Sequence, residues 1–367
     1  MQLELIRWVY RLKTVWAVLL SLLVGAWLIR ITGHDPIESY KALFVGAYGE
    51  YWGFSATLTK MSPLLLAGLA VALPYRVGLF NVGGEGQIYI GALFSTLFAL
   101  WLPGLPMWLA IPGTIAVGML GGALWALIPA ILKAYRNLNE VIITLLMNYI
   151  AINLVSFAVG GPLRAEGAPY PYSDEVGDSY LLPIMMDGTD AHIGALFGVL
   201  AAFVIFVVLK YTSIGFGMNT VGANPHAALY AGLSVRRHII MSMVIGGALA
   251  GLAGTFEVIG LKYRLYHLFS DGYGYDGVVI AFLANANSLA VIIASAFMAG
   301  LESGANVMQR AVGVPITVID AIKGLVVIFV AASLAFSYQR SGLVKMINRR
   351  KRLNEALSAS ALGEDRV

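Results

Sequence analysis

Blocks of apolar residues long enough to cross a bilayer, and nearly free of charge, constrain this chain more than any other feature. Residues 15–31 hold one charged side chain, Arg30, and residues 107–132 hold none. A spanning helix needs roughly 20 mostly apolar residues, and lipid offers no partner for an open peptide group. Soluble domains are about 25% charged; here the share is 12%, with 59% hydrophobic residues. The blocks do not alternate polar and apolar side chains over segments of about ten residues, as barrel strands do. An all-α integral membrane protein is expected. About ten transmembrane helices fit, near 15–31, 57–73, 88–102, 107–132, 138–159, 193–209, 239–261, 277–283, 289–305 and 316–336. The eighth is too short to cross alone and reads as a broken or re-entrant piece.

Basic residues favour cytoplasmic loops. Arg7, Arg11 and Lys13 precede the first block, Lys133 and Arg136 follow the fourth, and Lys210, Arg236 and Arg237 mark the loop 210–238. Arg340, Lys345, Arg349, Arg350, Lys351 and Arg352 lie in the tail. An even number of spans puts all of these on one side, so both termini are expected in the cytoplasm. The loop 160–192 then lies outside. It carries Glu166, Asp174, Glu175, Asp178, Asp187 and Asp190 against Arg164. The division is a cytoplasmic N-terminal segment 1–14, a transmembrane domain 15–337 and a basic cytoplasmic tail 338–367. The first block reads as a retained anchor, because no small-residue cleavage site follows it.

Several chemistries are excluded. The chain has no cysteine, and its five histidines form no pair at metal-ligand spacing, so no metal site is expected. A phosphate-binding loop needs Gly-x-x-x-x-Gly-Lys-Ser/Thr; the one Lys followed by Ser or Thr is Lys13, preceded by Leu12. The run Gly272-Tyr273-Gly274-Tyr275-Asp276-Gly277 has no strand before it and reads as a glycine-rich turn into a short helix. No catalytic cluster is visible, so the chain is not expected to be an enzyme. Its net charge of +4 follows from loop placement and does not imply nucleic-acid binding.

Three polar features remain. Asn81, Glu85 and Gln87 stand in the glycine-rich break 78–87; unwound backbone in a membrane needs polar company and often lines a solute path. A polar cytoplasmic turn is the alternative. Glu140, Thr144 and Asn148 recur every four residues and form one stripe on the fifth span, facing either a water-filled path or another helix. In the loop 210–238, Asn224, Pro225, His226, Ala227, Ala228, Leu229, Tyr230, Ala231 and Gly232 read as a two-turn helix. Asn224 suits the N-cap, Pro225 the first helical position and Gly232 the left-handed C-terminal turn. So short a helix is not stable alone; it either docks in a partner, with Ala227, Ala228 and Ala231 seating it and Tyr230 anchoring it, or is an ordinary turn.

Together these pieces resemble a known family. Asn81-Val82-Gly83-Gly84-Glu85-Gly86-Gln87 looks like the signature of nucleoside-type permeases, as does Asn139-Glu140-Val141-Ile142 with Met147-Asn148-Tyr149. Gly222-Ala223-Asn224-Pro225 through Gly232 looks like the coupling-helix segment of the branched-chain amino-acid, ribose and nucleoside permease superfamily, and 275–281 resembles its re-entry segment. Family members often place Leu-Gly after this segment's Ala; here Leu283-Ala284-Asn285 follows. The resemblance implies a multi-pass permease of the bacterial plasma (inner) membrane, part of an ATP-driven ABC importer. It implies a second permease chain, usually a different one in the nucleoside group, so a heterodimer. An ABC ATPase subunit that binds ATP and Mg, and an extracytoplasmic solute-binding lipoprotein, complete the assembly, with membrane lipid around it. Residues 224–232 would contact the ATPase, and a nucleoside would be the solute. A monosaccharide importer permease is the alternative, and an ion-coupled secondary transporter a further one.

Overall fold

A computed structural model describes residues 13–333; the expected segment 1–14 (but for its last two residues) and tail 338–367 lie outside the described residues. These divide into two units, 34–316 and a smaller one of 13–33 with 317–333. Among the described residues there is no strand, only the isolated bridges Tyr172–Tyr266 and Ile184–His192. The smaller unit holds α1 (Lys13–Ile31) and most of α13 (Ile316–Ser333).

The larger unit contains α2 (Pro36–Tyr48), α3 (Tyr51–Tyr75), α4 (Gly84–Trp101), α5 (Met107–Arg136), α6 (Glu140–Gly160), α7 (Gly194–Tyr211), α8 (Ser213–Ala223), α9 (Pro225–Tyr230), α10 (Val235–Glu257), α11 (Tyr273–Leu283) and α12 (Ser288–Val312). Eight described helices are long and apolar enough to cross a membrane: α1, α3, α5, α6, α7, α12, α13 and α10 with its π-turn Val258–Lys262. The other two expected spans correspond to α4, which has 18 residues and a polar first turn, and α11, which has 11.

Two helices were not anticipated. Asp35 caps α2, its carboxylate accepting from Ile37 and Glu38 N–H (2.7 and 3.0 Å), but Glu38 and Lys41 interrupt an apolar run too short to read as a span. Helix α8, capped by Thr212, was concealed within the loop 210–238 because its glycines suppress helical pattern. Boundaries moved as well: α3 starts at Tyr51, α4 at Gly84 and α12 ends at Val312.

The core forms where α10 crosses α3, α4 and α5. Without a hydrophobic force between helices in lipid, close packing needs small residues. A Cβ at Gly251 would lie 2.4 Å from the Gly118 carbonyl oxygen, and one at Gly254 would lie 2.0 Å from that of Ile88. These neighbours are backbone and cannot rotate away. Gly251→Val is therefore expected to destabilise the fold by about 1–3 kcal/mol or more, read as a melting temperature lowered by several degrees in detergent. An unchanged transition would mean that the helices separate freely at this crossing.

The acidic loop 161–193 lies on the 259–267 segment. Val176 N–H donates to the Tyr263 carbonyl (2.8 Å), Leu182 N–H to that of Ile259 (2.9 Å) and Ser173 N–H to that of Leu265 (2.9 Å), while Arg264 pairs with Glu175. The Tyr51 hydroxyl donates to the Asp187 carbonyl (3.1 Å). The start of α3, the acidic loop and the end of α10 therefore share one side of the molecule.

Candidate functional site

The site begins with a proline. Pro74 has no N–H, so the Ala70 carbonyl four residues earlier loses its helical partner. Asn81 Nδ2 donates to that carbonyl (3.2 Å), after the chain has turned at Gly78 with φ +83°. Asn81 and Gln87 exchange amide hydrogen bonds: Asn81 Nδ2 to Gln87 Oε1 (3.0 Å) and Gln87 Nε2 to Asn81 Oδ1 (3.1 Å). Gly83 N–H also donates to Asn81 Oδ1 (3.1 Å). The break is thereby tied to both helices it joins.

Two helices then begin at buried residues, Gly84 and Tyr273, and the first N–H groups of a helix have no partner within it. Neither N-cap, Gly83 for α4 or Gly272 for α11, has a capping side chain. Other helices supply the caps. Asn148 on α6 accepts from Gly86 N–H (2.8 Å) and donates to the Val82 carbonyl (2.9 Å). Glu85 on α4 accepts at Oε2 from Gly274 N–H (2.7 Å) in the first turn of α11. The approach is close: a Cβ at Gly274 would lie 2.1 Å from the Glu85 nitrogen. The result is a relay in which α6 caps α4 and α4 caps α11.

Asn81, Glu85, Gln87, Thr144 and Asn148 are all buried. Thr144 takes no part in the relay; its hydroxyl donates to the Glu140 carbonyl (2.7 Å) and its Cβ would lie 2.9 Å from a Cβ at Gly83. Glu140 is apart from them, paired with Lys133 (3.0 Å) across the α5–α6 turn. The stripe read at four-residue spacing thus has three different local roles.

Helix α9 has the caps its sequence indicates. Asn224 Oδ1 accepts from His226 and Ala227 N–H (3.0 and 3.1 Å), Pro225 occupies the first position, and Gly232 has φ +77°. Leu229 and Tyr230 are exposed, Tyr230 at 96%. Ala228 does not fit the expected outward seat: it is fully buried against its own chain, because Leu233 N–H folds back onto its carbonyl (2.9 Å). Next to α9, Gly222 abuts the carbonyl of Arg76, where a Cβ would lie 1.9 Å from the oxygen. Arg76 Nε in turn donates to the Ala286 carbonyl (2.8 Å) in the α11–α12 turn. Sequence reasoning passed over Arg76, and only the fold brings its partners to it.

Eight described helices long and apolar enough to cross a membrane, with the short α11 capped from α4, define a polytopic membrane protein that contains a discontinuous span. Residues 53–331 match the family described as branched-chain amino acid transport system / permease component, and the chain belongs to that family. It is similar to the guanosine ABC transporter permease protein NupP of Bacillus subtilis, 34% identical over 338 residues, 90% of this chain and 95% of that one. The glucose ABC transporter permease protein TsgB13 of Haloferax volcanii is 34% identical over 339 residues, covering 90% and 89%. The nucleoside ABC transporter permease protein NupB of Lactococcus lactis is 31% identical over 324 residues, covering 86% and 89%. No solved structure matches. The chain is an ABC transporter permease, a multi-pass protein of the bacterial plasma membrane.

Proposed function

We propose that this chain is one permease of an ATP-driven importer for a nucleoside. The carrying observation is the exposed, doubly capped α9, joined through Gly222 and Arg76 to the turn below α11. An ATPase closing on Tyr230 pushes on this contact and so on the discontinuous helix. ATP and its Mg²⁺ belong to that ATPase, a second and different permease completes the membrane part, and a solute-binding lipoprotein docks on the side of the acidic loop. The relay Asn81, Glu85, Gln87 and Asn148 holds α11 beside the solute path, with Thr144 packed behind it. The guanosine and nucleoside permeases among the relatives support the substrate; the glucose permease at equal identity supports a monosaccharide as the second reading.

Read as ten membrane segments, α4 and α11 included, the chain has both termini on one side, and its basic loops make that side the cytoplasm, with 15–337 as the permease domain. Since the chain has no cysteine, Asp178→Cys in right-side-out vesicles is expected to react with an impermeant thiol reagent and His226→Cys is not; the reverse pattern would overturn this orientation. For the substrate, the full assembly in proteoliposomes with ATP inside is expected to take up guanosine well above glucose. Uptake of glucose alone would move the assignment to sugars, and gradient-driven uptake by this chain alone would remove the ABC reading.

A further inference from the structure

Helix α12 carries a polar face that lipid does not tolerate. Glu302, Asn306, Gln309 and Arg310 fall within an arc of roughly 100° at 3.6 residues per turn. Opposite them, about 180° away on the same wheel, Ile293 is 75% exposed and suits acyl chains. Asn306, Gln309 and Arg310 are exposed. Glu302 pairs with Lys60 of α3 (3.2 Å). Counted back from Val312, Glu302 lies about 15 Å along the helix, near the middle of a hydrocarbon core about 30 Å thick. Lys60 lies about as far from the start of α3 at Tyr51, the end that meets the acidic loop. Ionisable and amide groups at such depth face water or protein.

The two helices enclose a cavity of about 340 Å³, lined by Glu50, Lys60, Asn306, Gln309 and Arg310 among others. That volume is at the lower end of small-molecule sites. We infer that this cavity, opening on the side of the acidic loop, receives the solute and takes a neutral, hydrogen-bonding molecule with an aromatic face. Of its charged lining residues, Glu50 offsets Arg310 and Lys60 is neutralised by Glu302 behind the wall, so an ionic solute gains no net attraction. The Asn306 and Gln309 amides and the Ser303 hydroxyl offer donors and acceptors to a solute shedding water. Trp52, on the same wall and 66% exposed, offers a ring for stacking on a heterocycle. The inference rests on the importer reading and adds the place and chemistry of solute capture.

The test uses the complete importer, with this chain co-expressed with its ATPase, second permease and binding protein. Asn306→Cys, Gln309→Cys and Ile293→Cys are each treated from outside with a charged, impermeant methanethiosulfonate. Before treatment the Asn306 and Gln309 variants, each having lost one amide that meets the solute, are expected to keep only part of the wild-type guanosine uptake, and Ile293→Cys to match wild type. Treatment is expected to label both and to lower their uptake at least tenfold, leaving Ile293→Cys unlabelled. No labelling at either polar position, or labelling without loss of uptake, would overturn the cavity's role while wild-type transport stands. Absence of ATP-dependent uptake by the unmodified wild type would instead overturn the importer reading.

Discussion

Tyr230→Asp is expected to lower solute uptake by at least roughly tenfold while leaving the amount of chain in the membrane unchanged. The side chain is 96% exposed on α9, so its replacement leaves the protein's own packing intact. Aromatic anchors at the centre of interfaces typically contribute about 2 kcal/mol or more, and about 1.4 kcal/mol is already tenfold in affinity. Ala228→Glu is a poor test by comparison. It puts a carboxylate where the native methyl is fully buried and is expected to reduce the folded chain. Uptake, membrane level and co-purification of the ATPase should be measured together for Tyr230→Asp. Wild-type uptake at equal expression would reduce α9 to a connecting turn.

Removing the Glu85 side chain is expected to have the other large effect. Glu85→Ala leaves the buried Gly274 N–H without its 2.7 Å acceptor. A buried hydrogen bond contributes about 0.5–1.5 kcal/mol, and an orphaned buried donor costs about 1–3 kcal/mol. A melting temperature lowered by several degrees in detergent, with uptake largely lost, is the expected outcome. Glu85→Gln keeps an oxygen aimed at the amide and should fall between alanine and wild type in both measurements. If Glu85→Ala melts like wild type, α11 is held by its other contacts and the relay ends at α4.

The long spans were legible because lipid imposes the same requirement on every helix that touches it. Helix α5, 107–136, needs nothing but its own apolar residues to be recognised. The start of α4 at Gly84 was not legible: its cap, Asn148, comes from α6, far along the chain. Glu85 was visible as an odd polar residue, yet its partner Gly274 is 189 positions away. The α9 caps are local, Asn224 to its next neighbours, and were read correctly, whereas the burial of Ala228 depends on the surrounding chain. The polar face of α12 carried a readable signal, since Glu302, Asn306, Gln309 and Arg310 follow helical spacing. Most of that face lies beyond the expected span 289–305, in the last two turns of α12.

Helix α11 also bears on how the chain is made. Its 11 residues are about half the length that partitions into a bilayer unaided, so hydropathy alone does not carry it in during synthesis. It gains its place from surfaces translated long before: Gly277 lies against Ala67 of α3, and Gly274 against Gly84 and Glu85 of α4. Biogenesis is therefore ordered. The ribosome must deliver α3 and α4, and these must already be assembled, before residues 273–283 have anywhere to go.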